Sequence, residues 1–169
     1  APDWTAESDQ AESRFGGATW TAGDVNGDGY SDLIVGAPQY DNGETGEGRA
    51  FAYLGSASGL EPTAHWTAES DRADSRFGAN LSTAGDVNGD GYADLVVGAS
   101  LHSNNYGNEG KAYVYHGSAA GLSTTAAWAV EGQQGCGDGD DCAWLGQAVG
   151  TAGDVNGDGY ADLIVGAPG

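Results

Sequence analysis

The chain has 169 residues, of which 25 are Asp or Glu and only five are Lys or Arg, so its formal charge is −20. A surface this acidic repels the phosphates of nucleic acid and of anionic membranes and attracts divalent cations, so we expect neither nucleic-acid binding nor membrane insertion. The 31 glycines indicate many turns, whereas five Trp and eight Tyr exclude a disordered acidic tail.

The chain contains no methionine, even at its first residue, which is typical of a processed or excised product. No apolar run approaches the ~20 residues of a membrane-spanning helix. These features predict a secreted, extracellular protein, and the composition rich in Ala, Gly and Asp suggests a bacterial one.

The sequence WTAESDQAESRFG at 4–16 returns almost unchanged as WTAESDRADSRFG at 66–78, and Trp128 opens a third copy. We therefore interpret residues 1–169 as one domain built from repeats at approximately 4–65, 66–127 and 128–169. The third repeat carries six additional residues between Trp128 and Leu145, where the two cysteines lie.

Cys136 and Cys142 flank the sequence GDGDD. In a secreted protein a short disulfide loop is the favoured interpretation, with a free pair of thiols as the alternative. Five intervening residues and the lack of a second pair argue against a zinc site.

Each repeat is predicted to form about four short strands. The runs DLIVGAP (32–38) and DLVVGAS (94–100) are rich in β-branched residues and end at turn residues, and GRAFAYLGS (48–56) and GKAYVYHGS (110–118) alternate small and aromatic residues. No stretch shows a sustained helical period. The prediction is an all-β fold of β-propeller blades with about eleven strands, or about 2.75 four-stranded blades.

Propellers close with about four to eight blades. Because unpaired strand edges recruit partners, three arrangements remain open. The chain is part of a larger propeller, further copies of it close a ring, or a partner fragment supplies the missing blades.

Between two strands of the first repeat lies DVNGDGYSD at 24–32. Counting Asp24 as position 1, side-chain oxygens fall at positions 1, 3, 5 and 9, with the carbonyl of position 7 as a further donor. Gly29 at position 6 permits a tight turn, and such oxygen sets suit Ca²⁺. Position 12 is Val35, so the terminal glutamate of a helix–loop–helix calcium site is absent. The alternative, a turn with solvated acids, is disfavoured because the loop occurs three times.

SRFG followed by DVNGDGYSDLIVGAP resembles the FG-GAP repeat of integrin α-subunit propellers and of related secreted bacterial and fungal proteins. The "FG" is Phe15-Gly16 and Phe77-Gly78, and the "GAP" is Gly36-Ala37-Pro38 and Gly166-Ala167-Pro168. The third copy has Leu145-Gly146 instead of FG, and the second has GAS instead of GAP. The resemblance implies calcium loops that join neighbouring strands on the face opposite the protein-ligand surface.

The resemblance also implies about three structural Ca²⁺ ions per chain. The expected ligands are Asp24, Asn26, Asp28, Tyr30 and Asp32 in site one, Asp86, Asn88, Asp90, Tyr92 and Asp94 in site two, and Asp154, Asn156, Asp158, Tyr160 and Asp162 in site three.

No nucleophile, base and orienting group can be assigned together, so we predict that the chain is not an enzyme. The leading hypothesis is a module for recognition or adhesion with a glycan or protein ligand. The alternative is a ligand-free structural or accessory module of a larger secreted protein. Trp4, Trp66, Trp128, Tyr113 and Tyr115 are candidates for ligand stacking, although packing between blades is the favoured explanation for each of them.

The connections at 39–48 and 101–110 lie between equivalent strands but differ in sequence. Loops that read a ligand differ in this way, and so do unconstrained loops that drift.

Overall fold

The computed structural model describes residues 3–134, 136 and 142–169. These residues form ten β-strands and no helix that could cross a membrane. The strands are β1 (Ala18–Gly23), β2 (Asp32–Ala37), β3 (Arg49–Tyr53), β4 (Trp66–Glu69), β5 (Asn80–Gly85), β6 (Asp94–Ala99), β7 (Lys111–Tyr115), β8 (Trp128–Glu131), β9 (Ala148–Gly153) and β10 (Asp162–Gly166).

The strands form three antiparallel sheets, which confirms the all-β prediction. Two sheets are complete four-stranded blades with the orders β1-β2-β3-β4 and β5-β6-β7-β8, and the third pairs β9 with β10. The inner strands β1, β5 and β9 lie side by side. Within the described residues the blades do not close into a ring.

The structure has ten strands where the sequence predicts about eleven. The segment that begins at Trp4, which that count includes, has no strand conformation at residues 4–8. The corresponding segment β4 is hydrogen-bonded to β3 of its own sheet, and residues 4–8 have no such neighbour in the described part of the chain. Instead, the Trp4 ring packs edge-on against Tyr53 at 5.0 Å, and its Nε1–H donates to the carbonyl of Glu61.

The sheets are offset from the sequence repeats. Trp66 opens the second sequence repeat, yet β4 is the outer strand of the first blade. Its indole packs 4.9 Å from the Tyr115 ring and donates a hydrogen bond to the carbonyl of Ser123, both in the second blade. Each repeat therefore completes one blade and begins the next, so neighbouring blades are joined covalently and by packing.

The core lies between the blades. Ile34 of the first blade packs with Leu81, Leu95 and Val97 of the second, and Phe77 is fully buried beside them. On the other face of the second blade, Val96 and Val114 pack against Leu163 of the third. Because β6 is covered on both faces, all six of its residues are buried, which explains its continuous apolar run.

The glycines of the repeated motif mark the closest approach between blades. A Cβ atom on Gly36 would clash with the carbonyl oxygen of Gly78, and one on Gly98 would clash with that of Gly146. Within the second blade, the N–H of Gly78 donates to the carbonyl of Gly98 at 3.1 Å. Consecutive blades therefore contact each other backbone to backbone at this level, and no side chain fits between them.

We expect Gly98→Ala to destabilise the fold, because the new methyl group must separate two backbones. An overpacking cost of about 1–3 kcal/mol should lower the Tm by roughly 2–4 °C per kcal/mol for a chain of this size. Differential scanning calorimetry measures the change.

Gly150→Ala is the matched control, since a Cβ atom there meets nothing within 4 Å. It should leave the Tm unchanged or slightly raised. Equal losses in both variants would contradict the close-approach explanation.

Candidate functional site

The three acidic loops connect β1 to β2, β5 to β6 and β9 to β10, and therefore lie at the same end of the three sheets. In the first loop the backbone curls through two glycines with positive φ, Gly27 at 74° and Gly29 at 90°. The second and third loops repeat both angles within a few degrees. These φ values favour glycine, which explains the sequence N-G-D-G in every copy.

Within each loop the acidic side chains point inward to backbone donors. Asp24 Oδ1 accepts hydrogen bonds from the N–H groups of Gly27 and Asp28, and its Oδ2 accepts one from Gly29 at 2.8 Å. Asp28 Oδ1 accepts from the N–H of Tyr30 at 2.9 Å. The same bonds recur in the loops that begin at Asp86 and Asp154. The side chains at positions 1 and 5 therefore accept hydrogen bonds from the backbone of their own loop in all three copies.

The last aspartate of the first and second sets has a different environment. Asp32 is only 2% exposed, and its two oxygens accept hydrogen bonds from the N–H groups of Val25 and Gly55. Asp94 is fully buried and does the same with Val87 and Gly117. This carboxylate ties the acidic loop to the end of the third strand of its blade, a role that sequence reasoning missed.

Burial raises the pKa of Asp32 and Asp94, and their backbone hydrogen bonds oppose that rise. In the third loop, the hydrogen bond from the N–H of Gly159 lowers the pKa of Asp154. Among the described residues, the ion pairs join Arg49 to Glu69 and Glu131 to Lys111 and His102. No Lys or Arg compensates the acidic loops there.

In the described part of the chain, no three Asp, Glu, His or Cys side chains form a group that could hold a metal ion. The complete donor set of each loop is broader, since it adds an asparagine amide oxygen and a backbone carbonyl to three carboxylates. All of these donors are hard oxygens; Asp24 Oδ1 accepts two N–H groups, but Asp24 Oδ2 accepts only one and retains a second lone pair. The chemistry of the donor set fits Ca²⁺ and does not fit zinc.

The connections between the second and third strands lie at the opposite end of the blades. A buried glutamate holds each of them: Glu47 Oε1 accepts from the N–H groups of Asn42 and Glu44, and Glu109 Oε1 accepts from Asn104 and Asn105. Both glutamates are at most 1% exposed. The variable loops are therefore anchored, which the sequence did not indicate.

The two complete blades differ at this end. In the first, the Tyr40 hydroxyl donates to Asp9, and the Arg49 guanidinium lies over the Tyr40 ring. In the second, His102 replaces the tyrosine, and Lys111 replaces the arginine. His102 is 6% exposed and its Nδ1 has no hydrogen-bond partner among the described residues.

A cavity of about 220 Å³ lies beside His102. Its lining includes Asp71 and Glu131 as acceptors, and Arg72, Lys111 and the amide of Asn104 as donors. Glu131 already pairs with Lys111 and accepts a hydrogen bond from Asn104, and Arg72 donates to the carbonyl of Ser103, so the lining is close to neutral overall.

The aromatic candidates for ligand stacking are mostly structural. Trp66, Tyr113 and Tyr115 are buried, and Trp4 packs on Tyr53, whereas Trp128 is 47% exposed. Sequence reasoning overlooked Trp20, which is 57% exposed. Its equivalents in the other repeats are Ser82 and Gly150, so a break in the repeat was the available signal.

Cys136 and Cys142 form a disulfide bond. The sequence between them, predicted to be a surface excursion, occupies residues 137–141, which lie outside the described part of the chain.

We expect stability to depend on His102. Burial lowers the pKa of this side chain, and the nearby Lys111 ammonium lowers it further. As the pH falls through about 6.5, His102 takes up a proton in the unfolded chain but not in the folded chain. The free energy of unfolding therefore decreases below that pH. The variant His102→Tyr carries the residue found at this position in the first blade. Its Tm should fall less than that of the wild type when the pH is lowered from 7.5 to 5.5. Replacing the exposed His65 by Gln is the control, and an equal loss in all three proteins would contradict the assignment.

The chain matches the FG-GAP repeat family at residues 16–53, 77–115 and 145–169. It is 34% identical over 152 residues to integrin alpha-4 of Xenopus laevis, which covers 89% of this chain and 14% of the relative. It is 34% identical over 149 residues to integrin alpha-6 of Gallus gallus, which covers 85% of this chain and 12% of the relative. With human integrin alpha-7 the identity is 31% over 172 residues, covering 98% and 13%.

The chain thus spans about one seventh of the length of these relatives. The first two family matches each contain an acidic loop and the first three strands of a blade, the third contains β9 and β10, and together they cover more than half of the residues. The chain belongs to the FG-GAP repeat family.

Proposed function

We propose that this chain is a calcium-stabilised β-propeller module of a secreted or extracellular protein and that it serves recognition or adhesion. The observation that carries the proposal is the threefold occurrence of one acidic loop with the same internal geometry and, among the described residues, no ion pair to a Lys or Arg. The family relationship to integrin alpha subunits supports a role outside the cell, and the disulfide bond is typical of oxidising compartments.

In each loop the residues at positions 1, 3, 5 and 9 would hold the ion through side-chain oxygens, and the tyrosine at position 7 would do so through its carbonyl. In the first loop these are Asp24, Asn26, Asp28, Asp32 and Tyr30. A bound ion supplies positive charge to three neighbouring carboxylates that otherwise repel each other. Three Ca²⁺ ions would change the formal charge of the chain from −20 to −14.

The role of the cation in this proposal is structural. The curled backbone aims the carboxylates, and Asp32 already links its loop to the N–H of Gly55. Stabilising this loop therefore stabilises the connection between the inner strand pair and the third strand of the same blade. The proposal includes no catalytic step.

We further propose that recognition occurs at the end of the blades opposite the acidic loops. There the anchored loops differ between repeats, and the cavity beside His102 presents donors and acceptors of balanced charge. Neutral hydroxyl groups suit such a site, so a glycan is the ligand class that we propose. Additional blades, from further copies or from the rest of a larger propeller, would complete the ring.

Calcium should raise the thermal stability of the chain and chelation should lower it. At 100 times the dissociation constant, each independent site adds about 2.7 kcal/mol to the free energy of unfolding. Native mass spectrometry in millimolar Ca²⁺ should count about three ions per chain, and calorimetry with and without chelator should give the change in Tm.

The variant Asp86→Ala/Asp90→Ala should bind two ions instead of three. Asp41→Asn, which removes an acid outside the loops, should still bind three. Fewer than two ions on the wild-type chain would contradict the calcium proposal.

A glycan array should show binding that depends on the cavity of the second blade. Arg72→Ala/Lys111→Ala should reduce the signal at least about tenfold, because it removes two charged donors, and hydrogen bonds to charged groups contribute about 1.5–3 kcal/mol each. Gln10→Ala, at the equivalent position of the first blade, is the matched control and should retain binding. The absence of any hit would instead favour a ligand-free structural or accessory module.

A further inference from the structure

The acidic loops of neighbouring blades contact each other directly. The N–H of Ala93, in the second loop, donates to the carbonyl of Asp24 in the first at 2.9 Å. The N–H of Ala161, in the third loop, donates to the carbonyl of Asp86 in the second at 2.8 Å. The same bond thus joins each consecutive pair of loops.

A side-chain contact accompanies each of these hydrogen bonds. A Cβ atom on Gly27 would lie 2.6 Å from Cε1 of Tyr92, and one on Gly89 would lie 2.6 Å from Cε1 of Tyr160. Each tyrosine ring therefore packs directly on the glycine at position 4 of the preceding loop. No such ring lies within 4 Å of the equivalent position at Gly157.

In each of these hydrogen bonds the acceptor residue would hold an ion, and the donor residue lies between two residues that would hold the next ion. Asp24 is position 1 of the first loop. Ala93 is position 8 of the second loop and stands between Tyr92 and Asp94, at positions 7 and 9. Fixing the backbone of Asp24 therefore also restrains the carbonyl of Tyr92 and the backbone of Asp94.

We propose that the three loops bind Ca²⁺ with positive cooperativity and that Tyr92 and Tyr160 are the positioning residues that couple them. This inference rests on the proposed function, since it concerns the same calcium sites. Occupancy of one loop orders the neighbouring loop before its own ion binds, so the second ion binds at a smaller cost in conformational entropy. The coupling is reciprocal between the loops.

Direct electrostatics acts in the opposite direction. A filled loop carries less negative charge than an empty one and attracts the next cation less strongly. Salt screens this effect, because the Debye length is about 8 Å at 0.15 M ionic strength, whereas the backbone hydrogen bonds and ring contacts persist. Cooperativity is therefore expected to increase between low and physiological ionic strength.

The test is a calcium titration of the 169-residue chain in buffered free Ca²⁺, with native mass spectrometry to count the bound ions. Unequal independent sites give a Hill coefficient below one, so a coefficient above one requires coupling. At 0.15 M salt we expect a coefficient above one, with binding to one loop raising the affinity of the next by about fivefold or more.

Tyr92→Ala should lower the Hill coefficient while leaving three bound ions, because the proposed ligand at this position is the backbone carbonyl. Tyr30→Ala is the matched control: it removes the same ring from the first loop, which has no acidic loop before it in the chain, and should leave the coefficient unchanged. If Tyr92→Ala does not fold, Tyr160→Ala makes the same test between the second and third loops. Asp154→Ala/Asp158→Ala gives a test without a tyrosine change, since loss of the third site should weaken binding at the second, its neighbour, by a similar factor.

Three ions bound with a Hill coefficient of one or less would overturn the coupling and leave the proposed function intact. A coefficient above one that is equal in the wild type, Tyr92→Ala and Tyr30→Ala would overturn the role of the tyrosines. Fewer than two bound ions would overturn the calcium function and the coupling together.

Discussion

The backbone contact between neighbouring blades at the motif glycines is the constraint on which the rest of the structure depends. Gly36 and Gly78 approach so closely that a methyl group on either one would meet the backbone of the other blade. This contact fixes the spacing of the inner strands, and the apolar cluster around Ile34 and Phe77 fills the space that remains. The outer strand β4 then carries Trp66 across to the next blade. A repeat that lost its glycines would change the spacing for every residue that packs between the blades.

The fixed spacing has different consequences at the two ends of the blades. At one end it brings the acidic loops near enough for the N–H of Ala93 to reach the carbonyl of Asp24, so these loops form a connected row with little freedom to vary. At the other end the connections at 39–48 and 101–110 are anchored from inside their own blade by Glu47 and Glu109. Their exposed residues can change without disturbing the contact between blades. The architecture therefore separates a constrained end that suits structural ions from a variable end that suits a ligand.

Sequence alone was sufficient for the features that repeat within short distances. Strand positions, the all-β class and the tight glycine turns of the acidic loops follow from alternation, β-branched runs and glycine placement, all of which are local properties. It was not sufficient for features that depend on contacts between distant segments. Residues 4–8 share the pattern of β4 but lack a strand to pair with, and local pattern does not report a missing neighbour. Asp32 is an aspartate like the exposed acids of its loop, but it accepts a hydrogen bond from the N–H of Gly55, which lies 23 residues away. The disulfide was the favoured alternative for two nearby cysteines, and the structure contains it.

The repeat also provides an internal reference for separating structure from function. Where all copies agree, as at the motif glycines and the acidic loops, the shared residue satisfies a requirement that every blade has. Where one copy differs at a position that another copy uses for packing, the difference removes an interaction and does not stabilise the fold. His102 gives up the hydrogen bond that Tyr40 makes with Asp9, and leaves a buried ring nitrogen without a partner in the described structure. Trp20 exposes an indole where the other copies have serine or glycine. Both positions depart from the repeat, His102 by a buried ring nitrogen without a partner among the described residues and Trp20 by an exposed aromatic ring.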